Sequence, residues 1–132
     1  MPSFASHIRP HVDAELRSAL LAENDGASAR AFAHLERAHV LGQASTVQHV
    51  RVHGRMFAWG WHHRSVRECL GQALRIVGAA TKTVFGLVPP GNTGGANVSP
   101  FKSLPVATEL AVIIEQARSV TSNKSLERTR EG

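Results

Sequence analysis

Four residues with metal-ligating side chains stand in two helix-spaced pairs. Glu36 and His39 are separated by one helical turn in LERAH, and His49 and His53 by one turn in HVRVH. Either spacing projects both side chains from one helical face. The segment between the pairs, Gly42 to Thr46, reads as a short turn. Two helices packed antiparallel about it bring His39 level with His49 and Glu36 level with His53. Three imidazoles and a carboxylate suit a divalent transition metal such as zinc, nickel, cobalt, iron or copper. Four filled positions make a structural site; one open position permits hydrolytic or redox chemistry. Imidazolium does not coordinate, so such a site is expected to release its ion as pH falls through ~6.5. Plainer roles compete with this one. His39 is also placed to act as a cation near a helix C-terminus, Glu36 to pair with Arg55, and His49 and His53 to sit partly exposed. The chain has eight histidines, so pairs at these spacings also arise by chance.

A second group concerns binding. Between Ser45 and Lys82 the chain carries Arg51, Arg55, Arg64, Arg67, Arg75 and Lys82 against a single acid, Glu68. A basic section of this kind favours nucleic acid, anionic lipid or an acidic protein, and is equally an ordinary solvated face. Arg51, Arg55, Trp59, Arg64 and Arg67 form the candidate interaction surface, with the indole able to stack on a base. Trp61 falls on the apolar stripe of its helix and is expected in the core, which leaves Trp59 facing outward. His62 and His63 close that helix and read as C-terminal capping. Cys69, in the first turn of the next helix, reads as packing. The only aspartates are Asp13 and Asp25, so no Ser–His–Asp set is legible and no catalytic residue is assigned. In the segment from Pro89 to Asn97, neither a Gly-Lys-Ser/Thr nor a GxGxxG pattern is present. Gly91, Asn92, Gly94, Gly95 and Asn97 read instead as a structural loop, the glycines supplying positive φ and the asparagines bonding the backbone.

Helices must position these residues. The 132-residue chain is 42% hydrophobic and 5% aromatic. Its abundance of Ala and Leu favours helix over sheet. Apolar periodicity predicts helices over about 10–23, 28–41, 46–62, 66–82 and 105–119. Asn24-Asp25-Gly26 and Gly42 are stops, and Ser45-Thr46-Val47-Gln48 and Ser65-Val66-Arg67-Glu68 are capping boxes. Val47, Val50, Phe57 and Trp61 mark the expected buried face of the third helix. Cys69, Leu70, Ala73, Leu74, Ile76 and Val77 mark that of the fourth. The fold class is all-α: two antiparallel helical hairpins, a Gly-rich crossing loop and a C-terminal helix. Leu35 matches Leu70 and Ala38 matches Ala73 at an offset close to the ~34-residue tetratricopeptide period. Residues 1–120 form one expected domain, and 121–132 an expected disordered polar tail. The single cysteine excludes a disulfide scaffold. The N-terminus lacks the apolar stretch of a signal peptide, and no run approaches the ~20 apolar residues that span a bilayer. A soluble, cytoplasmic protein without a membrane partner is expected.

The segments AFAHLERAHVLGQ, HVRVHGRMFAWGW and VPPGNTGGANVSPF, in this order, resemble the bacterial domain of unknown function 3703 family over about residues 10–118. The resemblance implies membership and no activity. The polar SNKSLERTR near the C-terminus resembles readthrough into the recombination site of an integron gene cassette. The first function expected is a non-catalytic protein-interaction module. The alternatives are a metal-binding protein and a nucleic-acid-binding one.

Overall fold

The structure, a computed structural model, describes residues 3–82 and 104–131. Among these residues all regular structure is helical: α1 (Phe4–Asn24), α2 (Ser28–Gly42), α3 (Thr46–His62), α4 (Val66–Lys82) and α5 (Thr108–Glu131). The local signals that end and start these helices act as the sequence predicts. Gly26 takes a φ of +72° between α1 and α2, in a conformation that glycine adopts without strain. The Ser45 hydroxyl accepts from the Gln48 N–H at 3.4 Å, and the Ser65 hydroxyl from the Glu68 N–H at 3.3 Å, at the starts of α3 and α4. The loop containing Gly91, Asn92, Gly94, Gly95 and Asn97 lies outside the described residues.

Two helices are longer than periodicity suggests. α1 begins at Phe4, ahead of Pro10, because Phe4 and Ile8 pack into the core. α5 runs to Glu131 and is helical where a disordered tail was expected from Thr121. Its hydroxyls bond back to carbonyls one turn earlier: Thr121 to Ala117, Ser125 to Ser122 and Thr129 to Ser125. Arg128 and Arg130 in the last turn suit the helix dipole.

α1 packs chiefly on α2, and α3 on α4. The α2–α3 contact joins these pairs, and α5 lies against α1 and α2. The apolar core is built from Ile8, Val12 and Leu16 of α1, Leu35 and Leu41 of α2, Val52 and Met56 of α3, and Leu110 of α5, among others. Glu15 of α1 accepts from Arg37 at 2.8 Å and lies 2.7 Å from His34 Nδ1; Arg37 also reaches Glu109 of α5. That network locks α1, α2 and α5 together. Asp13 pairs with Arg51 and Glu23 with His63, so α1 and α3 run in the same direction.

Among the described residues, none of α4 belongs to the apolar core cluster. Its expected buried stripe faces outward: Leu70, Leu74 and Val77 are 62, 76 and 69% exposed. Turned inward is Gln72, fully buried, with Glu68 and Arg75 partly buried beside it. α3 shows the same inversion. Val47 and Trp61 are exposed, while Gln48, His49, Val52, His53 and Met56 are buried. Among the described residues, no helix is long and apolar enough to cross a membrane.

Candidate metal centre

α2 and α3 meet about the turn at Gly42–Ser45, where a Cβ on Gly42 would stand 3.0 Å from Gln48 Cβ. This close approach lets His39 of α2 face His49 and His53 of α3. The three imidazoles are buried, at 2, 6 and 2% exposure. Their ring centroids form a near-equilateral triangle with sides of 4.7, 4.7 and 4.8 Å. One ring nitrogen from each lies within 4.8 Å of the others, and His39 Nε2 is 2.8 Å from His49 Nε2. Nitrogens on a tetrahedral zinc, with bonds of about 2.0–2.1 Å, stand roughly 3.4 Å apart. Small ring rotations therefore bring the three nitrogens to coordinating distance.

α4 supplies the supporting side chains. Gly60 of α3 lets it approach, since a Cβ there would lie 3.0 Å from Glu68 Cβ and 3.3 Å from the Cys69 nitrogen. Glu68 Oε1 accepts from Gln72 Nε2 at 2.5 Å, and Gln72 Oε1 lies 2.5 Å from His53 Nδ1. A carboxylate only accepts, so the Gln72 amide nitrogen must face Glu68 and its carbonyl must face His53. His53 Nδ1 then carries the hydrogen, and Nε2 keeps its lone pair. A partner of this kind commonly fixes the tautomer and orientation of a metal-ligating histidine.

The electrostatics favour neutral rings. Burial, then the neighbouring His53 and Arg75, lower His49 to about 3. Burial also lowers His53 to about 4; the Gln72 hydrogen bond opposes that shift and Arg75 adds to it. Neutral imidazole is the coordinating form. Arg75 is partly buried; its own desolvation lowers its pKa, and the charge of Glu68 opposes this. Its positive charge works against a bound cation as it does against imidazolium, while Glu36 and Glu68 work in the cation's favour.

Glu36 does not join the triangle of ligand atoms. It lies partly buried within reach of Glu68, and desolvation followed by repulsion from Glu68 raises its pKa. The sequence thus placed three of the four expected ligands together and missed Glu68, Gln72 and Arg75. The i,i+4 spacing of Glu68 and Gln72 was the available signal, but the neighbouring leucines pointed to the opposite face.

The candidate interaction residues occupy separate surroundings. Arg51 pairs with Asp13 at 2.5 Å. Arg55 is exposed beside Trp59 in a cleft lined by α1, α2 and α3. Arg64 and Arg67 are exposed on either side of the turn into α4. Trp59, expected to face outward, instead packs on the core between Phe32 and His63, with ring centroids 4.5 Å from each. Trp61, expected in the core, is 73% exposed. Cys69 is partly buried and lies 3.8 Å from the Phe57 carbonyl.

These features define a fold that is helical throughout the described residues, with a histidine triad buried between helices. The chain belongs to the DUF3703 family, described as protein of unknown function, whose model matches residues 6–114. That span contains α2 to α4, all of α1 but its first two residues, and every residue of the triad and its supports. No curated protein and no solved structure gave a match.

Proposed function

We propose that this protein binds a divalent transition ion, zinc or one similar to it, through His39, His49 and His53. The observation that carries the reading is the convergence of three buried imidazole nitrogens within 4.8 Å of one another. Among the described residues no carboxylate belongs to that group of ligand atoms, so a fourth position falls to water or to a shift of Glu36. The burial of the rings favours a structural, non-catalytic ion that ties α2 to α3. The test is a melt of tag-free protein with and without zinc, repeated in His39→Ala and His53→Ala. Zinc at a hundred times Kd stabilises by about 2.7 kcal/mol, or roughly 10 °C in Tm for a chain of this size. The wild type should show that shift, and each variant should lose most of it. Equal shifts in all three proteins assign the effect to other histidines and refute the proposal.

A protein-interaction module is the second reading, favoured by the outward apolar stripe of α4. In this reading α1–α2 and α3–α4 act as tetratricopeptide-like hairpins that present the stripe. The simplest partner is a second copy. Light scattering should then give a dimer for the wild type and a monomer for Leu74→Glu; a monomeric wild type argues against self-association. Nucleic-acid binding gains less support, since Arg51 is engaged by Asp13 and Trp59 is packed on the core.

A further inference from the structure

The last turns of α1 and α3 lie side by side and carry a second cluster: Glu23, His62 and His63. One ligand atom from each of the three lies within 4.8 Å of the others. His63 Nε2 is 2.5 Å from Glu23 Oε1, and the two imidazole rings stand 5.2 Å apart at 84°. Consecutive helical residues normally project in different directions. Here α3 is ending: His63 is its C-cap, Arg64 takes a φ of +56°, and the Ser65 N–H closes onto the Gly60 carbonyl at 2.8 Å.

Two further observations point to a ligand. Glu23 Oε2, the carboxylate oxygen that does not meet His63, is buried without a hydrogen-bond partner among the described residues. Trp59 Nε1 is likewise a buried donor without an acceptor among the described residues. Glu23, Trp59, His62 and Arg55 line one cleft of about 260 Å³ whose floor is apolar. Buried polar atoms are nearly always satisfied, so an orphaned acceptor and an orphaned donor on residues that line one cleft point to a polar occupant there. A hydrated cation meets both demands. Its charge satisfies the carboxylate, and an oxygen on its open side offers the indole an acceptor.

We propose that Glu23, His62 and His63 form a second, surface metal site for a borderline divalent ion such as zinc, with open positions toward the Trp59 cleft. Two imidazoles and one carboxylate are a suitable donor set, and three protein ligands leave room for water or a small anion. The guanidinium of Arg55 on the same cleft selects an anionic co-ligand. This site shares no ligand with the buried triad and stands or falls separately from it.

Calorimetric titration of the tag-free full chain with zinc tests the proposal. The variants are His62→Ala, Glu23→Gln, His39→Ala and the double variant His7→Ala/His11→Ala. His62 is exposed, so its loss should leave the fold intact by circular dichroism, and Glu23→Gln keeps an acceptor for His63. The expected result is a binding event weakened at least about tenfold in both His62→Ala and Glu23→Gln. That event persists in His39→Ala and in the double variant. Zinc binding that is unchanged in His62→Ala, or that disappears only in His39→Ala or only in the double variant, overturns the proposal.

Discussion

Acidification of the metal-free protein is the most direct probe of the buried triad. His49 and His53 are lowered to about 3 and about 4 in the fold, against about 6.5 in an unfolded chain. Between those values the unfolded chain binds more protons than the native one, so stability rises with pH. The contribution is therefore complete above pH 6.5 and is lost progressively as pH falls toward 4. Between pH 7 and pH 5 the loss is about 2 kcal/mol for each histidine and about 4 kcal/mol for the pair. That is a large share of the ~5–15 kcal/mol that stabilises an ordinary domain. Glu36 works the other way: burial and the charge of Glu68 raise its pKa, so it costs stability as pH climbs above the usual carboxylate range, and this offsets part of the loss. Urea unfolding followed by tryptophan fluorescence, with a chelator present, measures the difference directly. A His49→Gln/His53→Gln variant should show a much flatter profile. A wild-type difference below about 1 kcal/mol, or the same slope in the double variant, would refute the argument. The lowered pKa values of His49 and His53 also bear on the pH at which an ion would leave. The native His49 and His53 rings are already neutral near pH 6.5, so their protonation should not weaken zinc binding by the folded protein between pH 7 and pH 5.

Gly54 is exposed in the middle of α3 with nothing within 4 Å of an added Cβ, so Gly54→Ala should stabilise by about 0.5–1 kcal/mol in urea unfolding. Gly60→Val should instead lower the urea midpoint, because its side chain would collide with Glu68 Cβ and the Cys69 backbone, separating α4 from the triad. Arg64→Gly should raise the melting temperature by relieving a left-handed conformation that costs a non-glycine residue about 1–2 kcal/mol; an unchanged or lower Tm would mean the arginine side chain contributes more than the strain removes. Glu36→Gln should raise the urea midpoint of metal-free protein at neutral pH, since it removes a desolvated charge repelled by Glu68; a lower midpoint would show that its charge is compensated.

Short-range chemistry determined the helix boundaries from α1's end to α4's start. The hydroxyls of Ser45 and Ser65, and the glycine at position 26, act within four residues of themselves. The spacing of His49 and His53, and the brevity of the turn after Gly42, likewise brought three histidines into register without knowledge of the rest of the fold. Tertiary structure decided which face of α3 and α4 turns inward, and with it the support of the triad and the placement of both tryptophans. Apolar periodicity assumes that the greasier face is the buried one. Here the buried rings need hydrogen-bond partners, and an unsatisfied polar group inside a protein costs more than an exposed leucine. Gln72 is therefore buried against His53, while Leu70, Leu74 and Val77 face outward.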